Sequence, residues 1–135
     1  MKNYRIAWLP GDGIGNELSI LAKQVLDVLA FKADYINADI GWEFWKNEGN
    51  PLPERTLEIL NNTDCAFLIS ITSKSKNKAQ LELNKELQSL NFEYLSPIVQ
   101  LRKKLKLHTN IRPCVSFPGN INNLNDNIDL VIFRE

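Results

Sequence analysis

Arg102 and Arg112 stand ten positions apart within SPIVQLRKKLKLHTNIRP, residues 96 to 113, and a third arginine, Arg134, lies in the final strand-like run. A guanidinium fork grips a carboxylate bidentately, so arginines carried on ordered elements could hold a small polycarboxylic acid. Residue type alone leaves a second reading open, in which each is an ordinary surface or salt-bridged arginine. Ser96 precedes Pro97 at an expected helix start, and an N-cap hydroxyl beside free N–H groups suits an anion. Lysines 103, 104 and 106 crowd the far end of that helix, where they complement its dipole.

The other chemical candidate is the loop PGDGIGNE, residues 10 to 17, between an expected strand and an expected helix. Backbone N–H groups at such a junction can receive an anion. Its glycines, Gly11, Gly13 and Gly15, are spaced GxGxG, with Asn16 where the dinucleotide fingerprint could place its last glycine. Asp39, after the second strand, is a weak stand-in for a ribose-binding acid. A tight structural turn and a ligand loop both stay open on this spacing.

Composition bounds the rest. The 135 residues are 44% hydrophobic and 24% charged, the profile of one globular domain able to bury a core. Sixteen basic residues balance sixteen acidic ones, so no overall field favours nucleic acid or an anionic membrane. Cys65 and Cys114 lie far apart, and with a single histidine they suggest neither a disulfide framework nor a zinc site. They read as buried thiols in a reducing compartment. The N-terminal apolar run is too short for a signal peptide or a membrane span, so a cytoplasmic location is expected.

Strands are expected at residues 4–9, 33–40 and 65–71, the last a continuous apolar run of the kind covered on both faces. From Glu17, Leu18, Leu21, Ala22, Val25, Leu26 and Leu29 recur at helical spacing and form one apolar stripe. Trp42, Phe44 and Trp45 are expected in the core, followed by a helix over 54–60 and a polar helical stretch over 79–90. The helix from Ser96 should run to about Leu107, before a strand over 109–117 interrupted at Pro113 and a last buried strand over 130–133. His108 is expected to make a dipole or capping contact. Strands alternating with helices predict an α/β fold, a mainly parallel sheet flanked by helices, as a single domain over 1–135 with no internal boundary.

LPGDGIGNEL, PLPERTLEIL, SPIVQLRKKLKLHTNIRPC and DLVIFRE, in that order, resemble successive signatures of the β-decarboxylating dehydrogenases, the isocitrate/isopropylmalate dehydrogenase family. The resemblance covers essentially the whole chain and implies the N-terminal portion of that fold, incomplete as it stands. It implies NAD- or NADP-linked oxidation of a 2-hydroxy acid, with Mg²⁺ or Mn²⁺, followed by loss of carbon dioxide. By the same resemblance Ser96, Arg102, Arg112 and Arg134 bind substrate carboxylates, while Ile14 and Thr72 line the cofactor site.

Ile69 stands where many members have glycine, and SPIV at residues 96 to 99 is nearer to homoisocitrate or mixed-substrate members than to strict isocitrate enzymes. The family's acid, base, metal ligands and adenine loop lie past the region matched, so neither catalytic residues nor metal ligands are assigned here. The implied partners are a small hydroxy-polycarboxylate and either a second copy of the chain or a complementing C-terminal chain, with no nucleic acid and no membrane. A non-catalytic carboxylate-binding or interaction module, or a truncated gene remnant, is the alternative.

Overall fold

A computed structural model describes residues 3–29 and 32–135. The chain divides into two compact units, Met1–Gln100 and Leu101–Glu135.

The first unit is built on three parallel strands, β1 (Asn3–Gly11), β2 (Lys32–Asn37) and β3 (Cys65–Ser70), in the order β2-β1-β3. β1 is central because its run Ile6 to Leu9 is buried, whereas β2 carries Lys32 and Asp34 at an edge. Helix α1 (Gly15–Val28) connects β1 to β2, and α2 (Trp42–Glu48) with α3 (Glu54–Asn61) connects β2 to β3. The two crossovers run in opposite directions along the sheet. Crossovers of one hand then place their helices on opposite faces. Accordingly Ile20 and Lys23 of α1 flank a cavity with Trp8 and Tyr35, while Arg55 and Ile59 of α3 meet Arg5 and Ile36 on the other side.

Beyond β3 come α4 (Lys76–Glu82) and α5 (Lys85–Gln88). α4 supplies Ala79 to a cluster with Trp42, Trp45, Leu83 and Tyr94. The two tryptophans stay in an apolar core because each indole N–H has a partner: Trp45 donates to the Ala79 carbonyl at 2.8 Å and Trp42 to Glu82 at 2.7 Å. The aromatic group is core as expected at Trp42 and Trp45, whereas Phe44 is half-buried beneath the Arg55 guanidinium. Arg55 joins three segments by bonding Asp39 at 2.6 Å and both carboxylate oxygens of Glu48.

The division between units falls inside α6 (Pro97–Lys104). In the second unit that helix closes with Lys106 left-handed (φ 53°), the Leu107 N–H bonding the Arg102 carbonyl and the Lys106 N–H that of Lys103. The helix therefore ends a few residues short of Leu107. β4 (Asn110–Val115) and β5 (Asp129–Arg134) follow as an antiparallel ribbon. Pro113 pairs with Val131 within β4, so the proline interrupts the bonding and not the strand.

Three expectations are corrected. β3 is not covered on both faces: it is the outer strand of its sheet, and Cys65 to Leu68 are exposed. β5 is not buried, because among the described residues it belongs to a two-stranded ribbon and its whole length is exposed. Both thiols are exposed, since Cys65 sits on β3 and Cys114 on β4. The stripe on α1 is helical as expected, and Leu18, Leu21, Val25 and Leu29 on it are exposed.

Candidate functional site

In an open parallel sheet, ligands bind at the carboxyl ends of the strands where the strand order reverses. Here the order reverses between β1 and β3. The loop after β1 and the segment after β3 meet at that point, since the Asp12 N–H donates to the Ser70 carbonyl at 3.1 Å. The backbones approach closely enough that a Cβ on Gly11 would lie 1.7 Å from the Ser70 oxygen, and Gly11 has φ +81°. Only glycine fits there.

Asp12 holds this crevice together. Its carboxylate is buried, 3% exposed, and accepts the Thr72 N–H on Oδ1 at 2.7 Å and the Trp42 N–H on Oδ2. Sequence reasoning passed over it within the glycine motif. An aspartate between two glycines just after a strand was the available signal, because such a carboxylate is placed to receive neighbouring N–H groups. Thr72 is half-buried beside Gly13, where a Cβ would lie 3.5 Å from its hydroxyl. Ile14, at the N-cap of α1, is 61% exposed. Ile14 and Thr72 therefore belong to the two segments that meet at one end of the sheet.

Past Thr72, Lys74 reaches both carboxylate oxygens of Glu82 at 2.7 Å and lies over the Trp42 ring. Lys74, then the Trp42 indole, hold the Glu82 carboxyl below the usual range. Burial pushes the Tyr94 phenol up, and Ser73 lies beside that hydroxyl without closing a hydrogen bond. Asp39, the weak ribose-acid candidate, is taken by Arg55, which gives it a structural role.

Ser96 belongs to the first unit, half-buried, with its carbonyl accepting the Gln100 N–H. The arginines belong to the second. Across the ribbon Arg112 faces Ile132 and Arg134 faces Asn110, so the two are diagonal neighbours on one face. Asn110 shares that face and accepts from the Arg112 Nε at 3.3 Å. Arg102 is on α6, exposed, with its carbonyl spent on the helix end. Among the described residues no ion pair engages any of the three arginines. The ribbon thus brings Arg112 and Arg134 together as a paired cationic face without an internal counter-ion. His108 bonds the neighbouring Thr109 hydroxyl at 2.7 Å. No three His, Cys, Asp or Glu side chains among the described residues are grouped to hold a metal ion.

Comparison with known proteins decides the family, because the isocitrate/isopropylmalate dehydrogenase profile matches residues 5–135. The chain belongs to the isocitrate/isopropylmalate dehydrogenase family. It is 45% identical over 112 residues to protein DlpA of Legionella pneumophila, covering 83% of this chain and 18% of that protein. It is 30% identical over 132 residues to the isocitrate/homoisocitrate dehydrogenase of Thermus thermophilus, covering 98% of this chain and 35% of that one. Among solved structures, isocitrate dehydrogenase from Methylococcus capsulatus aligns with a TM-score of 0.75 at 26% identity, over 98% of this chain and 34% of its own. The chain thus spans about a third or less of the length of these relatives. Its α/β fold is part of the isocitrate-dehydrogenase-like fold. No helix among the described residues is long and apolar enough to cross a membrane.

Proposed function

We propose that the chain is the N-terminal part of an NAD(P)-dependent decarboxylating dehydrogenase acting on a 2-hydroxy acid of the isocitrate, isopropylmalate or homoisocitrate type. The observation that carries this reading is the ribbon face holding Arg112 and Arg134 with no carboxylate partner among the described residues, in a chain of this family. Guanidinium groups left without counter-ions are suited to an acidic ligand, and Arg102, in the same unit, is a further proposed carboxylate contact; Ser96, in the first unit, is proposed separately as one. Ile14 and Thr72, at the switch point of the sheet, are the proposed cofactor contacts.

In this role the chain binds and orients. Arginines neutralise substrate carboxylates and fix the acid's pose, and the crevice presents the Thr72 hydroxyl to the dinucleotide. The grouping of side chains among the described residues does not fit a bound Mg²⁺ or Mn²⁺, so no step through a metal is assigned to them. The groups that transform the substrate are to come from the remainder of the family fold. The exposed faces of β3, α1 and the ribbon support that reading, since apolar surface of this extent is normally covered.

The test is an assay of NAD- and NADP-linked oxidation of isocitrate, isopropylmalate and homoisocitrate with Mn²⁺, with and without a chain continuing the family fold. No turnover alone and turnover on mixing is the expected result. Turnover by the chain alone would overturn the proposed division of labour. A ligand-induced thermal shift without turnover in any mixture would favour the second reading, a non-catalytic carboxylate-binding module.

A further inference from the structure

We propose that Asp12 is the positioning residue of the crevice: its buried carboxylate fixes the backbone of Thr72 and so sets where the Thr72 hydroxyl faces a bound nicotinamide dinucleotide. The identity of the ligand rests on the function proposed above, whereas the clamp rests on geometry alone.

No ion pair to a basic side chain engages Asp12 among the described residues, unlike the other well-bonded carboxylates of the first unit, Asp39, Glu48 and Glu82. It is satisfied by backbone instead. Oδ1 accepts from Thr72, Oδ2 accepts from Trp42, its own N–H donates to Ser70, and its carbonyl accepts from Gly15 at 2.9 Å. One residue thereby joins the loop after β1, the segment after β3 and the start of α2. Such full satisfaction is what permits a carboxylate to be buried here, and replacing it leaves N–H groups without acceptors.

The approach of α2 is equally specific. Gly41 has φ +115°, and a Cβ on it would lie 2.3 Å from Oδ2, so the contact requires glycine next to the aspartate. The segment 72–74 is then held at two ends by groups that converge on one residue, Trp42. Thr72 is tied to Asp12, which takes the Trp42 backbone N–H, and Lys74 is tied to Glu82, which takes the Trp42 indole N–H. Removing the Asp12 charge should release the Thr72 end and leave the Lys74 end in place.

Two measurements on the 135-residue chain test this. In amide hydrogen exchange, Asp12→Asn should speed exchange at Thr72 or Trp42 by about tenfold or more beyond the change in global stability, the expected loss of a charge-assisted bond. Leu57→Ala, a core change on α3, should lower stability without that local effect. In a titration with NADH followed by tryptophan-sensitised fluorescence, Asp12→Asn and Thr72→Ala should each weaken binding, and the double variant should bind no worse than Thr72→Ala alone. That non-additivity is what action through Thr72 requires and a general loss of stability would not give. Unchanged exchange at both amides, or additive losses in the double variant, would overturn the proposal. Absence of NADH binding by the wild-type chain would overturn the dinucleotide reading, and exchange at Thr72 and Trp42 then decides the clamp separately.

Discussion

Arg112 and Arg134 illustrate how a residue's surroundings turn a common side chain into a site. Each is ordinary by type, and their sequence separation says nothing about proximity, yet the antiparallel register makes them diagonal neighbours. If they grip an acid, Arg112→Ala and Arg134→Ala should each remove most of the thermal shift that isocitrate or isopropylmalate gives the wild type. Retention of the full shift in both would show that the ribbon face is not the site. Glu48 and Glu82 allow a pH prediction, since arginine and lysine partners hold both carboxyl groups below their ordinary value when folded. A folded-state value below the unfolded one means stability that is present at neutral pH and lost as pH falls, over a window from about 5 downward. A urea midpoint that drops from pH 6 to pH 4 in the wild type should drop less in Glu82→Gln. Gly11→Ala should destabilise by more than about 1 kcal/mol in the same measurement, from left-handed φ and the clash with Ser70 together.

Most elements were legible in the sequence. The stop at Gly11, the helical recurrence after Glu17 and the Pro-Glu start at residue 53 each record a local backbone constraint, and the structure follows them closely. What failed was burial. The uncharged runs CAFLIS and LVIF read as covered strands, and the structure leaves them open because an apolar run records the cover a strand is shaped for and not whether these residues supply it. Asp12 was illegible for another reason: its partners, Trp42 and Thr72, are 30 and 60 residues away, so its role exists only once the segments meet. At this scale α2 rests on Trp45, fully buried with its indole bonded to Ala79. Trp45→Ala should cost about 3–5 kcal/mol in denaturant unfolding, and a cost below about 1 kcal/mol would show that the α2–α4 cluster is not a true core.

At the scale of the whole molecule, the first unit carries an asymmetric sheet: β2 presents Lys32 and Asp34 at its edge, β3 presents no charge at all. Charged edges resist strand addition and uncharged ones invite it. The isolated chain should therefore self-associate through the β3 side, seen as a sedimentation coefficient that rises with concentration, and Phe67→Lys should suppress the rise where a lysine on β2 has no effect. The exposure of both thiols has a further use. Cys65 lies in one unit and Cys114 in the other, and the sequence contains no third cysteine. The unmodified chain is thus supplied with one attachment point on each unit, and a pair of spin labels would read a single inter-unit distance. A narrow distribution would mean that the two units travel as one body, and a broad one that α6 is a swivel.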